Sequence, residues 1–161
     1  MNMDKLKANF QLIGYRIVSF SLETETIIVA SPDYKIKEND IDYNIKIMQK
    51  DELEDEEFWL GILCFELKMS GVSSGFDDDD DNQPCFNIEL VLEAGFTGNV
   101  EMQENDFESL LSLNGVSILT QIARSYIQSI TAQSGFSKMV SFPMINIFEL
   151  NKLKEECDKE D

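Results

Sequence analysis

The sequence predicts an α+β fold: a four-stranded antiparallel sheet followed by a long helix and a short C-terminal helix. Two observations carry this. Apolar residues recur at every second position in four segments before residue 95, and at every third and fourth position in the segments after residue 105. Strands come first and helices last, without the strand-helix alternation that builds a parallel sheet.

The first ordered segment, Asn9 to Glu23, alternates Ile13, Tyr15 and Ile17 and then Val18, Phe20 and Leu22. The slip by one residue near Ile17 predicts a strand with a bulge. Ile41 to Ile47 alternates with polar residues, as a half-buried strand does. Phe58 to Met69 is apolar on both faces, with Trp59, Leu63, Phe65 and Leu67 on one and Phe58, Leu60, Ile62 and Cys64 on the other. Such a strand is expected to be covered twice, the second time by a partner subunit. Phe86, Ile88, Leu90 and Leu92 alternate with Asn87, Glu89, Val91 and Glu93 in a fourth strand, expected to end at Gly95 and Gly98. Acidic clusters between the strands, Asp51 to Glu57 and Asp77 to Asp81, read as solvated loops at about 51–57 and 71–84.

Helical punctuation begins at Asn105-Asp106-Phe107-Glu108, where Asn105 is placed to cap and Glu108 to reach back to it. Leu113-Asn114-Gly115 predicts a stop, because Asn and Gly tolerate the left-handed conformation that closes a helix. A longer helix then runs to Ser134, before Gly135. Its apolar stripe, Ile118 or Leu119, Ile122, Ala123, Tyr126, Ile127 and Ile130, defines one broad buried face. Gly135 to Pro143 forms a connector with Phe136, Met139, Val140 and Phe142. Asn146-Ile147-Phe148-Glu149 repeats the capping pattern and opens a last helix to about Cys157, with a disordered tail expected over 157–161.

With 161 residues, 43% of them hydrophobic, the chain is expected to be one domain spanning 1–161 and able to bury a core. No segment approaches the roughly 18 consecutive apolar residues of a spanning helix, and the expectation is a soluble, cytoplasmic protein. Cys64, Cys85 and Cys157 are widely spaced, and the chain has no histidine to complete a metal set with them, so neither metal nor cofactor is expected. The 31 acidic residues against 13 basic ones leave a net charge of -18, and no Lys or Arg occurs between Met69 and Ala123. Such a field repels phosphates and anionic membranes, which excludes nucleic acid and the membrane surface as partners. The five-aspartate run does not make an EF-hand: counted from Asp77, the positions that need Gly and Glu hold Asn82 and Ile88.

Catalytic patterns fail in the same way. A nucleophilic enzyme needs Ser, Cys or Thr beside a base, and here histidine is absent and the carboxylates concentrate in loops. Gly71-Val72-Ser73-Ser74-Gly75 lacks the Gly-Lys-Ser/Thr ending of a phosphate cradle. Cys64 and Cys85 lie in strand patterns and read as small buried hydrophobes. The expectation is a protein that is not an enzyme.

The order of several short motifs resembles the SecB export-chaperone family: Phe86-Asn87-Ile88-Glu89-Leu90, Ala94-Gly95-Phe96, the short helix, Ile118 to Ile130 with Ala123-Arg124, Gly135-Phe136, and Pro143 before Asn146. The likeness covers roughly residues 85 to 153, with Phe10-Gln11 through Val18-Ser19-Phe20 more loosely similar to the family's first strand. The resemblance implies an ATP-independent holdase that binds unfolded polypeptides in apolar grooves of a dimer of dimers. On matching positions it implies Phe86, Phe142, Ile147 and Leu150 as groove residues, and Ile88, Leu90 and Leu92 near the strand surface used for assembly. The stripe around Ile122, Tyr126 and Ile130 and the doubly apolar third strand point to assembly as well. Glu89 falls on an acidic position that the family uses toward the SecA motor.

The chain departs from the family in places. Gln121 and Ile122 replace a proline-aromatic pair, Ile17 and Ser21 stand at the family's acidic first-strand positions, and Cys157 stands alone where a zinc-binding set of Cys and His docks on SecA. These departures raise a narrower alternative, a SecB-like chaperone dedicated to one client such as an antitoxin. A hotdog-type thioesterase or dehydratase is a further alternative, and an oligomeric adaptor for one folded partner another. In the hotdog fold, however, strands wrap a helix that follows only some of them.

Overall fold

Strands and helices follow one another in the predicted order. The structure, a computed structural model, describes residues 9–24, 34–48, 58–73, 85–99, 101–136 and 138–157. Strands β1 (Phe10–Thr24), β2 (Tyr34–Met48), β3 (Phe58–Ser73) and β4 (Phe86–Asn99) precede α1 (Glu104–Leu110), a π-helical turn (Leu111–Gly115), α2 (Val116–Gln133) and α3 (Ile147–Cys157). Among the described residues the sheet is antiparallel throughout, in the order β1-β4-β3-β2, so β3 and β4 are central there and β1 and β2 are edges. The loop expected at 51–57, residues 74–84 of the second loop and residues 158–161 of the tail lie outside the described residues.

The helices cover one face of the sheet. Phe86, Ile88, Leu90, Leu92, Ala94 and Phe96 of β4 and Trp59, Leu63, Phe65 and Leu67 of β3 are all buried there. Above them lie Phe107, Leu111 and the α2 row Leu119, Ala123 and Ile127, spaced four apart and fully buried. The predicted stripe therefore divides: this row is core, whereas Ile118, Ile122, Tyr126 and Ile130 are only half-buried.

Five sequence expectations are corrected, each for a local reason. β1 holds two bulges: the register against β4 shifts between Leu12 and Gly14 and again between Ile17 and Ser19. Ile13 and Val18 are the extra residues, and skipping them keeps Phe10, Leu12, Tyr15, Ile17, Phe20 and Leu22 on the helix side. β2 starts at Tyr34 rather than Ile41, because a bulge between Ile36 and Glu38 breaks the alternation that would have revealed it.

β3 runs through Gly71 to Ser73, and β4 through Gly95 and Gly98 to Asn99. Two of these glycines serve packing rather than turning. A Cβ on Gly98 would sit 2.4 Å from the ring of Phe107, and one on Gly71 would sit 2.2 Å from the ring of Phe86. Finally, α1 begins at Glu104 with no side-chain cap, since the backbone carbonyl of Gln103 accepts from Asp106 and Phe107 and Asn105 lies inside the helix. Gly115 does not stop the helix either. Its φ is -61° and the chain continues into α2, with a would-be Cβ 3.1 Å from Leu63, so the bare glycine lets the helix settle close on the sheet.

Candidate functional site

The connector between α2 and α3 is strapped down by polar contacts that place α3. Arg124 donates from Nε to the carbonyl of Phe142 (3.1 Å) and from Nη2 to that of Pro143 (2.8 Å), with its guanidinium 5.7 Å from the centre of the Phe142 ring. Thr131 Oγ1 accepts from the Val140 amide (2.9 Å), and Tyr34 donates its hydroxyl to the Met139 carbonyl (2.8 Å). Asn146 then caps α3 as predicted, its Oδ1 accepting from the Phe148 and Glu149 amides.

Two side chains on the inner face of α3 tie it to β2. Asn151 accepts from the Tyr43 hydroxyl (2.8 Å) and donates to the Ser112 carbonyl (3.2 Å) in the π-helical turn. A π turn shifts the backbone hydrogen-bonding pattern, which is how it can present a carbonyl to a neighbouring element. Lys154 donates to Asp42 Oδ1 (2.6 Å) across the ring of Tyr43, whose centre lies 4.9 Å from Nζ. Between β2 and α3 remains a groove of about 720 Å³, walled by Asn39 to Tyr43 on one side and by Ile145, Leu150 and Leu153 on the other. Of its lining, Leu153 is 58% exposed; Met144 and Phe148, 86% and 73% exposed, lie on the connector and α3 outside that lining.

The four residues expected to form a groove therefore separate. Ile147 and Leu150 lie half-buried on α3, and Leu150 lines the groove. Phe86 and Phe142 are fully buried, Phe86 between the rings of Tyr34 (5.3 Å) and Phe136 (5.8 Å). Both belong to the core. Ile41, Ile145 and Leu153 were missed as groove residues, although the Ile41 alternation and the i, i+3 pair Leu150 and Leu153 were visible signals.

A second apolar surface lies along β1. Tyr15 and Ile17 with Ile122 and Tyr126 of α2 line a hollow of about 390 Å³, whereas the bulge residues Ile13 and Val18 are more than half exposed, with Ile13 beside Gly95 on the other face of the sheet. Leu92 lies at the floor of the hollow. Ile88 and Leu90, expected at an assembly surface, are buried beneath the helices instead, because even-numbered residues of β4 face inward. Ile130 continues the half-buried row of α2.

The bare face of the sheet is acidic at one end. Glu89 pairs across strands with Ser21, and with Glu23, Glu38, Asp40 and Lys68 they line a shallow cup of about 370 Å³. Cys64 shares this face: burial first, and then the carboxylates of Glu66, Glu93 and Asp42, push its thiol above the ordinary range, which keeps it protonated. Among the described residues no group of three or more Cys, Asp or Glu is placed to hold a metal, and no helix is long and apolar enough to cross a membrane.

The Asp42–Lys154 pair makes the attachment of α3 sensitive to acid. Burial by itself would raise the Asp42 carboxyl, but the hydrogen bond from Lys154, the Tyr43 amide and the Lys154 charge outweigh it and hold the pKa below the usual value of about 3.9. A lowered folded pKa stabilises fully above that value and is lost as pH falls through the lowered one. Hydrogen exchange should show α3 protected at neutral pH and opened below about pH 4, while Lys154→Met should be looser at neutral pH and lack that acid step. A protection pattern in α3 that ignores both changes would remove the pair from this role.

This arrangement of elements defines the class of fold: a two-layer SecB-like α+β fold, with the long helix lying on the sheet after all four strands rather than wrapped by them. Among solved structures it is similar to a SecB-like chaperone of Mycobacterium tuberculosis in complex with a ChAD peptide from the HigA1 antitoxin. That match has 10% identity and a TM-score of 0.55, over 85% of this chain and 91% of that one. It is also similar to a protein of unknown function from Streptococcus agalactiae, with 9% identity and a TM-score of 0.51, over 84% of this chain and 97% of that one. No family model and no curated protein matches the sequence. At such identities the likeness establishes the fold.

Proposed function

We propose that this protein is an ATP-independent holdase that keeps non-native polypeptides in the groove between β2 and α3. The observation that carries the reading is the set of apolar side chains Ile41, Ile145, Leu150 and the largely exposed Leu153 lining a groove whose walls are already held in place by Asn151 and Lys154. Burying one Leu or Phe side chain contributes about 1.5–3 kcal/mol. A few such contacts, less the cost of ordering the client, give the modest affinity that a holdase needs for release.

The β1–α2 hollow supports assembly. Tyr15, Ile17, Ile122 and Tyr126 form an apolar strip beside an open sheet edge, and joining two such edges covers both strip and backbone. A dimer formed this way, and a dimer of dimers through the rest of the half-buried row of α2, Ile118 and Ile130, is the assembly proposed. A narrower role, holding one dedicated client, draws support from the antitoxin peptide bound to the similar M. tuberculosis chaperone.

Light scattering during size-exclusion chromatography tests both parts, with the protein alone and with a urea-denatured, slow-folding precursor at low and high salt. The expected result is a mass above that of one chain and client retained at both salt concentrations. A single-chain mass with no retained client would contradict the proposal and favour an adaptor for a folded partner.

A further inference from the structure

Four carboxylates meet at one end of the bare face of the sheet with no basic side chain paired to any of them. Across the strands they fall in two neighbouring rows: Glu89, Lys68 and Asp40 in one, and Glu23, Asn87, Ser70 and Glu38 in the next. Together with Ser21 these side chains line the cup of about 370 Å³. Elsewhere on the same face the acids are matched, since Arg16 holds Glu93 at 2.8 Å and Lys154 holds Asp42 at 2.6 Å. Among the described residues none of the four cup carboxylates makes a side-chain hydrogen bond or an ion pair, and Lys68 makes none either. The floor of the cup adds a second observation. Ser70 is only 6% exposed although it stands on the bare face, and among the described residues its hydroxyl has no hydrogen-bond partner. No fully hidden side-chain oxygen or nitrogen of the described residues lacks a partner, so what remains exposed of Ser70 includes its hydroxyl oxygen, which opens into the cup. A sunken hydroxyl without a partner costs free energy, and a donor entering the cup removes that cost. Asn87 beside it, half-buried, has no side-chain partner either.

These acceptors form a line rather than a cage. Neighbouring strands lie about 4.8 Å apart, which sets the backbones of Asp40 and Glu89 about 10 Å from each other and those of Glu23 and Glu38 about 14 Å. Among the described residues no three Cys, Asp or Glu converge as metal ligands do. The cation that matches such a line carries its charges at intervals along a flexible tether. We propose that the cup is a binding site for a free linear polyamine. An inner ammonium group donates to Ser70 Oγ and the side-chain carbonyl of Asn87, the outer ones pair with Glu23 and Glu38, and Asp40 and Glu89 flank the chain from the neighbouring row. Four carboxylates against the single amine of Lys68 leave the cup short of positive charge, and the net charge of -18 raises the local concentration of any polycation. Apart from Asp40, the cup shares no lining with the client groove, and the site stands whether or not the groove holds a client.

The test titrates spermidine into the full chain at low ionic strength by calorimetry, with magnesium chloride and a trilysine peptide titrated under the same conditions. The expected result is one spermidine per chain, bound at least about tenfold more tightly than magnesium. Ser70→Ala leaves every charge in place and should weaken spermidine binding by at least about threefold. Glu38→Gln should weaken it by about twofold to fivefold, whereas Glu108→Gln, the same loss of charge on α1 outside the cup, should leave it unchanged. Magnesium bound as tightly as spermidine would mean a general atmosphere of counterions and overturn the proposal. Equal affinity of Ser70→Ala and the parent chain, or equal losses from Glu38→Gln and Glu108→Gln, would overturn it as well. A trilysine peptide bound more tightly than spermidine would assign the cup to a protein partner instead, and no binding of spermidine at all would remove the site.

Discussion

Replacing Phe86 by alanine should lower the free energy of unfolding by about 3–5 kcal/mol, the range for removing a buried aromatic ring from a core that cannot close around the gap. The ring is fully buried, edge-on to Tyr34 and Phe136 and directly over the bare Gly71. The wall formed by Gly71 is backbone held in the β3–β4 ladder, so collapse into the cavity is restricted. Against a total stability of about 5–15 kcal/mol, the loss is severe. Urea unfolding reads it as a large fall in midpoint with little change in slope. A fall of under about 1 kcal/mol would mean that Phe86 faces a surface, as the family resemblance implied, rather than the core.

Leu153→Glu should do the reverse. Leu153 is 58% exposed on α3, Glu is nearly as good a helix former as Leu, and stability should move by no more than about 0.5 kcal/mol. Client affinity should fall by about tenfold or more, since a Leu side chain covered by client contributes about 1.5–3 kcal/mol and each 1.4 kcal/mol is a factor of ten. Titrating a labelled unfolded client into both variants separates the two effects. Equal affinity for Leu153→Glu and the parent protein would remove α3 from the client site.

How much of this was legible in the sequence differs by element. The central strands and α2 were readable because burial on one face imposes a strict period, and the Leu119, Ala123 and Ile127 row and the even residues of β4 keep it. The cap of α3 was readable because Asn146 acts on its immediate neighbours. The bulges hid what lay beyond them: one extra residue at Ile13 or Lys37 reverses the phase, so the start of β2 looked like loop. Glycines were misread as punctuation at 71, 95, 98 and 115. The reason for a bare Cα at Gly98 is the ring of Phe107, which arrives from another element and leaves no local signal. The groove was half legible for the same reason. Leu150 belongs to a visible helical pattern, but the wall opposite it is a strand edge, and which strands are edges depends on the order β1-β4-β3-β2.

Photocrosslinking tests the central claim, that client lies between β2 and α3, most directly. One protein carries a photoreactive side chain in place of Leu153 of α3, and another carries it in place of exposed Lys46, on β2 but away from α3 and outside the groove. With a denatured client present, position 153 should give the adduct and position 46 should give little. Equal yields at the two positions, or a preference for position 46, would place the client elsewhere and contradict the account.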